Sequence, residues 1–221
     1  MTTRPPLSPT QRSTVRRSAA RAQADRDALD QVLDAGLVCH LGVVVDGAPR
    51  VVPTGYGRDG DTLYVHGSTG AATLRAGDGT DVCVAVTMLD GIVYARSVFH
   101  HSVNYRSAIV HGRAVPVTGD EAKLHALRVL TEHLAPGQWD YTRSPSRKEL
   151  AQTAVLAIDL TEASVKIRAG GPVDEPTDVE QHTGWAGVLP LRSVWDAPIY
   201  ADDLPAGVAV PARIVNRPGP C

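Results

Sequence analysis

A small antiparallel β-barrel with peripheral helices is the fold class this sequence predicts. About seven Val-rich β-type runs follow one another with hairpin signals between them. Only two stretches carry a strong helical period, and no strand–helix–strand alternation recurs to build a parallel sheet. Closing the runs into a barrel removes the exposed edges that an open sheet would leave.

Taken in order, residues 1–24 contain Pro5, Pro6 and Pro9 and no apolar period. They read as a mobile arm whose Arg12, Arg16, Arg17 and Arg21 are a solvated face. A helix is expected over 25–35, where Leu29, Val32 and Leu33 fall at i, i+3, i+4 and Gly36 is placed as a left-handed cap. Residues 37–45 form a strand, Asp46-Gly47 a hairpin turn and 50–56 the returning strand. Pro53 cannot donate a ladder hydrogen bond, so that strand bends, bulges or lies at an edge there. Residues 62–66 are a third strand, and a short helix is expected from about Ser68, its first amides a ready anion site.

Strands at 81–89 and 92–98 flank a second hairpin signal, Asp90-Gly91, and 105–117 is a further strand. The strongest helix covers 118–135, with Thr118 and Glu121 as a capping box and Pro136-Gly137 as its stop. Residues 137–152 are polar and irregular, with Trp139 and Tyr141 as isolated aromatics. Residues 153–160 and 164–168 are closing strands. From Gly170 the chain is loop-like apart from an apolar island, GWAGVLPL, at 184–191.

The totals bound the function. Among 221 residues, 43% hydrophobic and 21% charged, the length fits one domain with extensions, and a net charge of −2 gives no footing for nucleic acid or an anionic membrane. A single Phe leaves the core to aliphatic residues. The three cysteines Cys39, Cys83 and Cys221 form no close pair, which argues against a disulfide framework or a Cys-based zinc site. No apolar run spans a bilayer and the basic start lacks an apolar signal region, so a cytoplasmic protein is expected.

Chemistry-bearing residues concentrate in FHHSVNYRSAIVHGRA, residues 99–114. Polar groups so dense either stay on the surface or converge on a ligand, because an unpartnered buried one costs about 1–3 kcal/mol. No nucleophile elbow, phosphate-binding loop, HExxH or GxGxxG is present. His40, His66, His100 and His101 lack paired ligand spacing, so no metal site is assigned.

Three separated pieces together carry a resemblance: RVVPTGY at 50–56, LYVHGS at 63–68 and NYRSAIVHGRA at 104–114. With VCHLGVVVDGAP before them and KIRAGGP and WAGVLPL after, they resemble the flavin-nucleotide-binding branch of the pyridoxamine 5′-phosphate oxidase-like family, which includes the nitroimidazole-resistance reductases. The resemblance covers about residues 27–191, and the pieces stand in the family's order. It implies an antiparallel, Greek-key-like split β-barrel over 25–191 with a C-terminal extension over 192–221. The barrel forms a homodimer with FMN in clefts between subunits.

Carried over by position, Pro53 and Thr54 line the flavin ring, and His66, Gly67 and Ser68 line its ribityl chain and phosphate. Asn104, Tyr105, Arg106 and Ser107 complete the cleft, and Trp185 stacks on the ring or plugs the core. Where the family usually has Arg or Lys, this chain has Ala72, and Arg75 or Arg50 is placed to substitute. Haem and the deazaflavin F420 stay open as alternatives. His100 and His101 are the candidates for proton delivery beside a flavin, or for a haem ligand. The resulting expectation is an FMN-dependent oxidoreductase acting on a small organic substrate. True pyridoxamine 5′-phosphate oxidase activity is not expected, since the likeness is to the other branch. The alternatives are a haem-binding split barrel and a flavin or F420 carrier without turnover.

Overall fold

In the computed structural model, which describes residues 6–7, 10–181 and 184–219, nine strands form one antiparallel sheet. They are β1 (Ala22–Gln23), β2 (Val38–Val45), β3 (Ala48–Asp59), β4 (Thr62–Ser68), β5 (Asp81–Tyr94), β6 (Ser102–Pro116), β7 (Thr153–Asp159), β8 (Ala163–Arg168) and β9 (Gly187–Pro190). The ladder runs β6–β7–β4–β3–β2–β5 and returns to β6, which closes a barrel. One edge of β6 pairs with β5 along its length. The other is divided, Tyr105–Val110 pairing with β8 and Ala114–Pro116 with β7, and this division splits the barrel.

Alternation along the strands fills the interior with Leu41, Val43, Leu63, Val65, Val84, Val86, Val110 and Ile158. Tyr56 is the aromatic in this aliphatic core. Helix α1 (Arg26–Ala35) closes one end with Leu29, Val32 and Leu33, all nearly inaccessible, and Asp25 caps it by accepting from the Asp27 amide. Gly36 ends α1 in an extended conformation, not the left-handed one expected. Its glycine answers to space: a Cβ there would lie 2.5 Å from Val86 Cγ1 and 2.7 Å from the Tyr56 hydroxyl oxygen.

The Asp46-Gly47 turn has both residues at positive φ, 51° and 77°, as a type I′ hairpin requires. Asp90-Gly91 is not a hairpin. β5 runs straight through it with an irregularity between Leu89 and Gly91, and the glycine serves a close approach, since a Cβ would lie 2.9 Å from the Leu189 carbonyl oxygen of β9. The short helix α2 (Ala72–Gly77) starts a turn later than expected.

Helix α3 (Asp120–Leu134) starts from Gly119 at φ 83° with no side-chain cap, so Thr118 and Glu121 form no capping box. The box occurs instead at α4 (Arg147–Gln152), within the stretch read as irregular, between Ser146 and Glu149.

The expected arm is seated on the barrel, not free, over its described part. β1 pairs with β8, Leu7 is buried, and Arg12 binds Glu162 at 2.5 Å and Asp81 at 2.8 Å. Residues 1–5, 8–9 and Cys221 lie outside the described residues. Beyond β8 the chain adds α5 (Pro176–Glu180) before β9, and the C-terminal extension adds α6 (Ala212–Val215). It folds back onto α3, where Arg217 donates to the Leu134 carbonyl at 2.7 Å and stacks over Trp195, while Arg213 stacks over Tyr141. No helix among the described residues is long and apolar enough to cross a membrane.

Candidate functional site

The β3–β4 ladder pairs Tyr56 with Val65 and stops there. One step further, the same register would set Gly55 against His66, Thr54 against Gly67 and Pro53 against Ser68. Those pairs do not form, because β4 continues along β7 while β3 continues along β2. The two strands part and leave a notch, bordered by the unpaired edge of β3 at Pro53–Thr54 and that of β4 at His66–Ser68. Pro53 has no amide hydrogen to offer a ladder, which suits it to this edge. Two of the three expected segments therefore lie on the two strands that border this notch.

Beyond β4 the chain turns tightly. The Gly70 amide donates to Ser68 Oγ at 3.1 Å, the Ala71 amide to the Ser68 carbonyl at 2.9 Å and the Thr69 amide to the Gln152 carbonyl at 3.0 Å. These amides are committed, so an anion at the turn would meet the Ser68 and Thr69 hydroxyls and a cation. Arg75 supplies one, its guanidinium reaching back to the Gly70 carbonyl at 2.8 Å. This donor set fits a phosphate chain, and the open β3 edge fits the heteroatoms of a flat ring. Partial desolvation by its neighbours pulls the His66 imidazole below its ordinary value although the residue stays exposed.

The third wall is dispersed. Arg106 is not free to clamp an anion: it binds the Asp90 carboxylate through Nε at 3.0 Å and Nη2 at 2.7 Å. Asn104 is buried, its amide donating to the Gly170 carbonyl at 3.1 Å and its oxygen accepting from Arg168, so it ties β6 to the chain after β8. Tyr105 and Ser107 stand opposite Arg168 and Lys166 in the β6–β8 ladder. Arg106 does line an open cavity of roughly 930 Å³ shared with His40, Asp90 and Trp195. His40 is the cross-strand partner of Pro53, so this cavity adjoins the notch.

The histidine pair takes two different environments. His101 Nδ1 accepts the Ala95 amide hydrogen at 2.9 Å, so the neutral ring carries its proton on Nε2. His100 Nε2 lies 3.6 Å from the Glu175 carboxylate. Trp185 is 69% exposed and packs beside Tyr94, so it is not a core plug. Among the described residues no group of three His, Cys, Asp or Glu side chains converges as a metal site.

Sequence reasoning missed His133, which no motif marks. It donates to the Gly36 carbonyl at 2.7 Å and lies against the Tyr56 ring at 4.8 Å. It also missed the hollow between α3 and the 139–149 loop, which His66 borders with Trp139, Arg143 and Pro145. The isolated aromatic at 139 was its one visible signal.

The family model for pyridoxamine 5′-phosphate oxidase matches residues 25–167. Among solved structures, the flavocytochrome Anf3 from Azotobacter vinelandii is 35% identical, with 95% of this chain and 98% of that chain covered at a TM-score of 0.90. An FAD and heme binding protein from Mycobacterium smegmatis is 40% identical, with 90% and 98% covered at 0.86. A protein assigned to 5-nitroimidazole antibiotic resistance in Bacteroides thetaiotaomicron shares the fold at 21% identity, with 66% and 86% covered and a TM-score of 0.56. No curated protein matches the chain.

Proposed function

The chain belongs to the pyridoxamine 5′-phosphate oxidase family, and from that premise we propose that it is a redox protein that binds FAD together with haem and acts as an oxidoreductase on a small organic molecule. The observation that carries this reading is the pair of relatives, 35% and 40% identical over at least 90% of the chain, whose names state a flavocytochrome and an FAD and heme binding protein. The reading prefers FAD to the FMN expected from sequence, and takes haem as a second group in place of F420.

The notch is the proposed flavin site. Pro53 and Thr54 offer the ring an open strand edge, and Ser68, Thr69 and Arg75 meet the phosphates. A bound flavin supplies one- and two-electron transfer. The chain's own residues orient it, exclude water and set the His66 imidazole beside the phosphate turn. Binding iron through Nε2 of His101 would require that ring to give up the Ala95 hydrogen bond, so His101 is set aside as a haem ligand in favour of His100.

A second copy of the chain completes the site in this reading. In register, Val38, His40, Gly42 and Val44 of β2 share the outer face of the barrel with Gly55, Pro53, Val51 and Pro49 of β3 and with Ala85 and Cys83 of β5. That face is almost wholly apolar, and Val51, Val44 and Val38 are 66%, 59% and 49% exposed. An apolar sheet face with Pro53 at its centre, beside the notch, is the surface a homodimer covers.

The absorption spectrum of the purified full-length protein tests the cofactor reading. Flavin bands with a Soret band are expected, and flavin released by denaturation should co-elute with FAD. A colourless protein that takes up neither group on incubation overturns the proposal.

A further inference from the structure

The loop between α3 and α4 is held by many polar contacts. Glu132 accepts from the amides of Gly137 at 2.6 Å and Trp139 at 2.9 Å, and these hydrogen bonds hold its carboxyl below the ordinary range. Arg128 reaches Asp140 at 3.1 Å, and Arg143 grips Glu149 with two N–H groups at 2.8 and 2.6 Å. Glu149 in turn completes the capping box with Ser146. The half-buried Trp139 is thereby fixed at the wall of a hollow instead of being packed into the core.

That hollow, roughly 470 Å³, lies between Trp139, Leu127, Pro145 and His66. A second, of roughly 770 Å³, lies over Ser68–Gly70 and Gln152. His66 and Thr153 line both, so the two form one groove that starts at the proposed phosphate turn and ends at an aromatic plane.

We propose that this groove receives the adenosine half of FAD, with Trp139 as the surface on which the adenine stacks. The proposal rests on the reading that the Ser68–Gly70 turn holds the flavin's first phosphate. FMN ends at that phosphate, whereas FAD continues through a second phosphate and a ribose to a flat base, and needs a surface beyond the turn. Leu127 and Pro145 flank the base, and the Thr131 and Thr142 hydroxyl oxygens, which donate to the Leu127 and Gln138 carbonyls, can accept from its amino group or from the ribose. Charge favours the same choice. A terminal phosphate monoester carries about 1.5 to 2 negative charges at neutral pH, whereas each phosphate of a pyrophosphate diester carries only one. With Ala72 uncharged beside the turn and Arg75 reaching back to it, the turn is better matched to the diester.

Titrating the full-length protein, freed of flavin, with FAD and FMN separately tests this. Base–aromatic stacking of ordinary strength makes FAD bind about tenfold or more tightly than FMN, and Trp139→Ala removes about that factor for FAD while FMN changes by less than about twofold. Trp139→Phe retains most of the FAD preference, and a melting curve for each variant reports folding. Equal affinity for FAD and FMN in the unaltered protein overturns the proposal, as does a Trp139→Ala loss equal for both flavins. Failure of the unaltered protein to bind either flavin instead overturns the reading of the turn itself.

Discussion

Arg106 and Asp90 form a two-pronged ion pair at the mouth of the barrel. Nε lies 3.0 Å and Nη2 2.7 Å from the carboxylate, with both side chains roughly a quarter to a third exposed. A pair held this way acts as a strut between β5 and β6, and it leaves Arg106 poorly placed to hold a phosphate. Arg106→Ala is therefore expected to cost about 1–2 kcal/mol of stability, less than a fully buried pair would lose. In a double-mutant cycle with Asp90→Asn the two changes should be non-additive by at least about 0.5 kcal/mol. Flavin affinity measured on the folded variant should stay close to that of the parent. A large selective loss of flavin would return Arg106 to the cofactor site.

This pair explains why part of the site was not legible in the sequence. Asp-Gly reads as a hairpin tip, and at a tip Asp90 could not reach a residue 16 positions on. Once β5 runs through, Met88 stands opposite Arg106 and brings Asp90 alongside it. The same dipeptide at Asp46-Gly47 does make the turn it signals, because there both residues need positive φ. At Gly36 and Gly91 the glycine answers to close packing from distant segments, which local sequence does not encode. The antiparallel barrel and its aliphatic core were readable from Val-rich alternation, whereas the order of the strands in the sheet, set by the long β5 and the divided edge of β6, was not. That Pro53–Thr54 and His66–Ser68 border the point where β3 and β4 separate is not encoded locally, since it depends on a ladder that stops.

Gly36 and Tyr56 set a second expectation. The Tyr56 hydroxyl donates to the Leu33 carbonyl at the end of α1, and burial raises its pKa far above the ordinary phenol range. Gly36→Ala would drive a methyl group into that hydroxyl and Val86, a misfit worth about 1–3 kcal/mol. Tyr56→Phe should cost about 1 kcal/mol, the ordinary loss of one hydrogen bond. Urea denaturation should show both as lower midpoints at an unchanged slope.

Acid should release the N-terminal segment before it melts the barrel. Arg12, and then the Thr10 hydroxyl, hold Glu162 down to a pKa of about 2. Because the folded-state value is depressed, this contribution is fully present above the ordinary Glu range and is lost as pH falls from there to about 2. Amide NMR shifts of Ala22 and Gln23, which pair with β8, should titrate across that window. In Arg12→Ala the transition should move up toward the ordinary carboxylate range. No movement of the midpoint would remove Arg12 as its cause.

The outer face of β2 and β3 gives the most direct test of assembly. Val51 and Val44 stand on one apolar surface, at 66% and 59% exposure, and neither contributes to the barrel interior. A charge at either position should therefore leave the fold intact, because surface substitutions away from special features usually change stability by less than about 0.5 kcal/mol. In a dimer built on this face the same charge would be desolvated twice, once in each copy, without a partner. Val51→Asp should shift the protein from dimer to monomer in sedimentation velocity with an unchanged melting curve for the monomer. Flavin should be lost with the dimer, since Pro53 lies two residues from Val51 and the notch beside it would stay open to water. A Val51→Asp protein that remains dimeric would locate the interface elsewhere, and a monomer that keeps its flavin would show that one chain completes the site alone.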